Sequence, residues 1–355
     1  ASFTQPLLRG RGRKIALENL TQAERNLLYE VREFTRYRKT FAVRVASNYY
    51  SVLRNKDAVR NNHRGVESFE LSFTREKAFE LEGERTPGEV RRLEQSKLAR
   101  ESTWIASINR YQESLDDYKI LLGLSTDAKI TLDDTELDTI TETGIIMPEM
   151  TLQQATEIAL VTRLDLYTDI DVVQDAERKI LVAANGLLPK MDLLITSNIN
   201  SKSGNRPSAL DFSNRKFSAG VDLQLPFDQK PKRNNYRRAL IDLEVKRRTA
   251  TLNIDLAKLD VRNAWRSLEQ AKRDYEIGVL SVDLNLLRVE EVNLKAELGL
   301  GSILDQVDAQ NDLTNAQTAV TNALVRQKIS LLEFWRDIGV LYIKENGQWE
   351  KLSDV

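Results

Sequence analysis

From Pro231 to Leu298 the chain repeats every seven residues, and no proline follows Pro231. Ile254, Val261, Leu268, Tyr275, Val282 and Val289 fall in one column, and Ala250, Ala257, Ala264, Ala271 and Gly278 in another. A strict seven-residue period winds helices into a left-handed supercoil, and a column of small residues lets a neighbouring helix come close. At 1.5 Å per residue the segment is a helix on the order of 100 Å long. One subunit of 355 residues cannot bury an apolar seam of that length, so partner helices are implied.

A second pattern repeats at larger scale. Gly83-x-x-Thr86 resembles Gly299-x-x-Ser302, and Leu122-Gly123-Leu124 resembles Ile338-Gly339-Val340, both at an offset of 216. Gln5-Pro6-Leu7 resembles Leu225-Pro226-Phe227 at an offset of 220. Each half therefore reads as a strand end with proline, a long helix, a Gly-x-x-hydroxyl corner, a second helix and a closing glycine. Glycine supplies the left-handed conformation that ends a helix, and Thr86 or Ser302 can cap the helix that follows. The helices after the corners match in length, whereas the first long helix is expected to be four residues longer. In that helix Leu20, Leu27, Phe34 and Phe41 form a seam that shifts by four to Val45, Val52, Val59 and Val66. Such a shift is a stutter, which locally unwinds a supercoil. After the first corner, Ile105, Ile108, Leu115 and Tyr118 share one side of the second helix.

The halves divide the chain into a first repeat at 1–124, an acidic linker at 125–150, a second repeat at 151–340 and a polar, frayed tail at 341–355. Thr151-Leu-Gln-Gln154 is a capping box. It opens a helix expected to run to about Asn185, where Asn185-Gly186 and Pro189 stop it. Leu193, Ile195 and Ile199 then alternate with polar residues, with Leu194 breaking the pattern. Ser201–Asn214 has loop composition. Phe217, Ala219, Val221, Leu223 and Leu225 alternate strictly with Ser218, Gly220, Asp222 and Gln224. Period-two alternation of this kind puts one face in an apolar medium and the other in water.

Composition narrows the function. Charged residues make up 30% of the chain, with 15 glycines and 7 prolines, which suits long solvated helices more than a compact α/β domain. A net charge of −1 gives no general attraction to nucleic acid. There is no cysteine and a single histidine, His63, so the sequence offers no metal constellation and no thiol chemistry. No glycine-rich phosphate loop follows a strand. Neither an enzyme nor a cofactor is indicated. No apolar run reaches the roughly 20 residues of a spanning helix, and no signal peptide is visible at Ala1-Ser-Phe-Thr-Gln-Pro6. Two or three strands alone leave open edges, and an apolar-out, polar-in strand is the pattern of a closed transmembrane barrel. A ring of several copies would close both strands and helices.

Four segments, in order and spacing, resemble the TolC-type outer-membrane efflux proteins. They are Leu121-Leu-Gly-Leu124, Asn185-Gly-Leu-Leu-Pro-Lys-Met-Asp-Leu193, Ala219-Gly-Val-Asp-Leu-Gln-Leu-Pro-Phe227, and Gly299-Leu-Gly-Ser-Ile-Leu-Asp-Gln-Val-Asp-Ala-Gln310. The resemblance spans essentially the whole chain. It implies a mainly α fold with a small β part: a long antiparallel coiled-coil helical tube plus strands of a trimeric transmembrane β-barrel. Against the family's two repeats, the first repeat here lacks its opening helix and first strand, so the chain reads as the larger C-terminal part of such a protein. The implied function is a passive export duct through the outer membrane and periplasm, in a tripartite efflux or type I secretion system. The implied partners are two further copies in a homotrimer, a periplasmic adaptor, an inner-membrane transporter and outer-membrane lipid.

The resemblance also implies roles for residues. Asp305 and Asp308 match the aspartates of the periplasmic aperture, where three copies would set six carboxylates around a narrow mouth and favour cations. Glu89 and Arg92 occupy the corresponding first-repeat positions, where Arg92 could latch Asp308. In some members a basic residue stands where this chain has Gly301, so that closing bridge is missing here. Gly299, Leu300, Ser302, Gly83 and Thr86 are the tips that would meet the adaptor. The first corner departs from the family in its charge and its proline. Ser218, Asp222 and Gln224 would face the barrel lumen, and Phe217, Val221, Leu223 and Leu225 would face lipid. Arg9, Arg11, Arg13 and Lys14, with Lys230, Lys232 and Arg233, would form a basic collar where barrel becomes tube, each charge contributing about 1 kcal/mol against anionic headgroups. Read without the resemblance, the corners are helix turns with solvated aspartates, the basic groups are solvated faces, and the chain is a soluble coiled-coil scaffold or interaction protein with a small β cap.

Overall fold

In a computed structural model the chain is described at residues 2–133, 135–198, 215–225, 227–298, 302–344 and 349–351. Its elements, in order, are β1 (Ser2–Pro6), α1 (Arg13–Ala16), α2 (Glu18–Leu81), α3 (Pro87–Leu121), α4 (Thr135–Thr143), α5 (Leu152–Thr162), α6 (Leu164–Asn185), β2 (Lys190–Asn198), β3 (Lys216–Gln224), α7 (Lys230–Glu297), α8 (Ile303–Asp337), β4 (Leu341–Ile343) and β5 (Trp349–Lys351). They fall into two compact units, one of Ala1–Arg36 with Arg163–Leu256 and one of Tyr37–Thr162 with Ala257–Val355. No helix among the described residues is long and apolar enough to cross a membrane.

In the first unit the three strands form one antiparallel sheet in the order β1-β2-β3. α2 and α6 are joined there by an ion-pair ladder. Asp175 is buried and accepts hydrogen bonds from Tyr29, Gln22 and Arg178, with Arg25 paired to it at 2.5 Å. Burial alone would raise its pKa, but these hydrogen bonds and the Arg25 charge outweigh burial and hold it below the usual carboxylate range. Arg25 and Arg32 also pair with Asp171, at 3.0 and 2.6 Å, and Arg36 pairs with Asp165 at 2.7 Å.

The core of the second unit lies where α2, α5, α7 and α8 meet. Val43, Ala46, Tyr50 and Leu53 of α2 pack with Ala155 and Ala159, Val261 and Leu268, and Leu324, Val325 and Phe334. In the small column of α7, Ala257, Ala271 and Gly278 are buried and Ala250 and Ala264 half-buried, and on α8 a similar column seven residues apart, Ala309, Ala316 and Ala323, is buried. A Cβ placed on Gly278 would lie 3.0 Å from Val320 Cγ2, so α7 and α8 touch at this residue.

The structure corrects four expectations. The acidic linker holds α4, whose Leu137 and Ile140 join the core and whose Glu136 accepts a 3.0 Å hydrogen bond from the Tyr50 hydroxyl. Burial, reinforced by the Glu136 carboxylate, pushes that phenol up. The helix opened by the Thr151–Gln154 capping box, whose reciprocal bonds form at 2.8 and 3.3 Å, stops at Thr162 rather than at Asn185. Arg163 is extended (φ −73°, ψ 117°), and the Thr162 hydroxyl donates to the Ile338 carbonyl. Gly339 there sits at φ +80°, and a Cβ on it would meet Thr162 Oγ1 at 2.8 Å. The C-terminal tail is not simply frayed, since β4 and β5 pair antiparallel. Most of the extra length lies before the first long helix, not within it: α1 with α2 spans Arg13–Leu81, one residue more than Lys230–Glu297 of α7, so both ends fall within one residue of the 216 offset. As expected for one subunit, Leu20, Leu27 and Phe34 stand exposed, at 55, 68 and 62%, so the single chain does not bury that seam.

Candidate functional site

At the first corner Gly83 takes φ +81°, a left-handed conformation that accommodates glycine without strain. Thr86 then caps α3. Its hydroxyl oxygen accepts from the Glu89 N–H at 3.4 Å, and Glu89 Oε2 accepts from the Thr86 N–H at 3.1 Å and from its hydroxyl at 2.8 Å. These bonds, aided by the charges of Arg85 and Arg92, hold the Glu89 carboxyl below the usual range. At the second corner Ser302 caps α8 by accepting from Leu304 N–H at 3.2 Å. Gly299 and Leu300 lie outside the described residues.

The start of α8 is two-sided. Ile303 and Val307 are buried against Phe69 of α2 and Leu93 of α3, with Phe73 alongside. Lys77 and Lys97 lie 5.5 and 5.3 Å from the Phe73 ring centroid, and Lys97 is ion-paired with Glu70. Asp305 and Asp308 project from the opposite, exposed side. Three residues apart on a helix, they share a face. The acidic pair at the α8 start is therefore free of its own core. Arg92 is exposed too, and among the described residues it makes no ion pair with Asp308; its charge acts on Glu89 one turn away. The sequence pointed to Glu89 as an aperture carboxylate, whereas its oxygen is engaged in the cap. The Thr86-x-x-Glu89 spacing is itself the signal for that role.

The sheet carries its alternation across all three strands, because residues directly opposite in an antiparallel pair share a face. Ser218 faces Thr196 and Ser2, Asp222 faces Asp192, and Gln224 faces Lys190. Lys190 Nζ lies 3.1 Å from Asp192 and 3.7 Å from Asp222, and Gln224 Nε2 donates to Asp222 at 3.1 Å. On the other face Ala219, Ile195 and Phe3 are aligned, then Val221 with Leu193, then Leu223 with Met191. Phe217, Val221, Leu223 and Leu225 are 54 to 68% exposed. One face is thus mostly polar and bridged by charge; the other is mostly apolar, with Gln5 beside Leu193 and Ser197 beside Phe217 as polar exceptions, and its β3 side chains stand exposed. Leu194, which broke the sequence pattern, is the apolar exception on the polar face, opposite Thr4 and Gly220. The basic groups Arg9, Arg11, Arg13, Lys14, Lys230, Lys232 and Arg233 follow β1 and β3, and none of them is in an ion pair among the described residues.

The fold recurs in solved structures. The chain superposes on a membrane protein from Pseudomonas aeruginosa with a TM-score of 0.78, at 16% identity, covering 95% of this chain and 75% of that one. It also matches the outer-membrane protein VceC of Vibrio cholerae (TM-score 0.76, 16% identity, 95% and 78% covered). The outer-membrane channel CmeC of Campylobacter jejuni gives 0.74, 14%, 95% and 70%. The chain has the TolC-type outer-membrane channel fold. No protein-family model matches the sequence, and no curated protein matches it. In this fold long helices and a small sheet belong to one architecture. Sequence identity this low leaves each residue's role to the geometry around it.

Proposed function

We propose that the protein is an outer-membrane channel, a passive export duct of a tripartite efflux or type I secretion system. The observation that carries this is the two-faced sheet: an uncovered apolar face opposite a polar face bridged by Lys190, Asp192 and Asp222. Water on one side and hydrocarbon on the other satisfies both. In this reading the sheets of three copies close a barrel. Ser218, Asp222 and Gln224 face its lumen, and Phe217, Val221, Leu223 and Leu225 face lipid. The basic residues after β1 and β3 meet anionic headgroups. The helices of the three copies close a periplasmic tube, covering Leu20, Leu27 and Phe34, which the single chain leaves exposed.

At the other end, Asp305 and Asp308 of three copies ring the aperture and favour cations. Their exposure on one helix face supports this role. Gly83, Thr86 and Ser302, with Gly299 and Leu300, form tips for a periplasmic adaptor, which couples the duct to an inner-membrane transporter. Glu89 acts there through its cap, and Arg92 sits beside it. No bond is made or broken in this function.

Fractionation of the producing cells tests the reading. The protein is expected in the outer-membrane fraction, released only by detergent, and cross-linked as a trimer. Recovery as a monomer without detergent would sink the channel and favour a soluble coiled-coil scaffold.

A further inference from the structure

In the second unit α2, α3 and α8 surround a polar cavity of about 220 Å³. Asn55 and Asn62 of α2 line it, with Asn315 and Asn322 of α8 and Arg110 of α3. No carboxylate is in its lining. Among the described residues none of the four asparagine side chains makes a hydrogen bond, and Arg110 makes neither a hydrogen bond nor an ion pair. Asn55, Asn62 and Asn322 are half-buried, yet none of their amide atoms is sealed from solvent. The cavity therefore offers amide donors and acceptors that a bound molecule can reach.

A second guanidinium stands beside it. Arg54, one turn before the lining residue Ala58, is half-buried and has no partner among the described residues. None of its nitrogens is sealed from solvent. Burial first, then the charges of Arg326 and Arg110, push its pKa down, and no carboxylate is among the charges that act on it. The carboxylates of the surrounding helices are engaged or apart. Asp57 of α2 accepts from Arg60, Asn61 and Thr321. Asp274 of α7 lies 3.5 Å from Arg326. Glu113, one turn along α3 from Arg110, makes no ion pair with it. Two free guanidiniums that repel each other are stabilised when an anion joins them.

We propose that this cavity binds a phosphate group, as inorganic phosphate or on a small hydroxylated ester. Arg54 and Arg110 would give charge-assisted hydrogen bonds to its oxygens. The asparagine amides would donate to the remaining oxygens and, through Oδ1, accept from a P–OH or from a hydroxyl of the ester. Donors on three separate helices suit a tetrahedral anion, whose oxygens point in several directions. A planar carboxylate is already satisfied by one guanidinium fork. The inference does not depend on the channel reading, since the lining belongs to one chain.

The test is equilibrium dialysis of the purified protein against radiolabelled inorganic phosphate, in sodium chloride at constant ionic strength. Binding is expected to saturate at one phosphate per chain. Unlabelled glycerol 3-phosphate should displace it, and sulfate, which has no proton to donate, should do so less well. Arg110→Gln, at an exposed position, should weaken binding by at least about tenfold, and Asn322→Ala by about threefold. Arg54→Gln should also weaken binding, yet should not lower the Tm in chloride, because it removes a half-buried charge that its neighbours repel. A lower Tm there would give Arg54 a packing role and overturn its place in the site. Absence of saturable binding would overturn the proposal and leave the cavity to water. Binding unchanged in both arginine variants would overturn it by placing the phosphate elsewhere. Equal displacement by sulfate would overturn the choice of phosphate. Displacement by glycerol 3-phosphate that is stronger than by unlabelled phosphate supports the ester as ligand, and weaker displacement supports the free ion.

Discussion

α3 and α8 are both 35 residues long, both begin at a hydroxyl cap and both end before a left-handed glycine, Gly123 or Gly339. Their surroundings differ. α8 buries sixteen residues, including Leu324, Val325, Leu332 and Phe334, whereas α3 buries five, two of them Ser107 and Lys119. Local chemistry has set the same element twice, and packing has used it in two ways. α8 is a core helix of its unit. α3 leaves Leu98 and Ile105 exposed, at 58 and 51%, and in the proposed assembly neighbouring copies cover such surface.

The largest test of this contrast is truncation of one large apolar side chain on each helix. Phe334 is fully buried, with its ring centroid 5.7 Å from Trp265 and 5.2 Å from Trp335. Phe334→Ala should cost about 3–5 kcal/mol in denaturant unfolding. Ile105→Ala should stay within about 0.5 kcal/mol in the isolated chain. Comparable losses at the two sites would erase the distinction drawn between the helices.

A smaller effect is expected where α7 meets α8. Gly278→Val places a branched side chain against Val320 and should cost about 1–3 kcal/mol. An unchanged Tm would mean that the small column is not needed for close approach.

The caps come next, and here the two helices should behave alike. Thr86→Ala and Ser302→Ala should each cost about 1 kcal/mol, since each removes the acceptor for a helix N–H group. Hydrogen exchange at Glu89 and Leu304 would report the local loosening. No change at either amide would remove the repeat's shared capping logic.

The smallest effect separates them again. Only the first cap carries a carboxylate with a depressed pKa. A group whose folded pKa lies below its unfolded value stabilises fully above the unfolded pKa, and that contribution disappears as pH falls through the folded pKa. Glu89→Gln should therefore cost a few tenths of a kcal/mol at neutral pH, the residue being largely exposed. The difference from wild type should shrink in acid, below the usual glutamate range. A gap that persists at low pH would show that the amide fails sterically rather than by loss of charge.

Much of this fold was legible in the sequence, because its signals are local and repeated. The Gly-x-x-hydroxyl corners, the 216 offset and the alanine columns each rest on spacing, and the structure places both post-corner helices at that offset. What could not be read depends on distant contacts. The break at Arg163 is set by Thr162 meeting Ile338 and Gly339, residues far along the chain. α4 forms inside an acidic stretch because Leu137 and Ile140 find the core and Glu136 finds Tyr50. Asp305 and Asp308 are exposed on one helix face, which the aperture and the solvated-turn readings both require. Within the single chain Arg92 makes no ion pair with Asp308 among the described residues, and its charge acts on Glu89 one turn away.

The central claim is that three copies enclose a water-filled path with carboxylates at its narrow end. Single-channel conductance of the purified protein in planar bilayers, with and without Asp305→Ala and Asp308→Ala together, tests this most directly. The account predicts discrete conductance steps that cations block in the wild type, and larger or cation-insensitive steps in the double variant. Absence of steps, or identical conductance and cation block in both proteins, would contradict it.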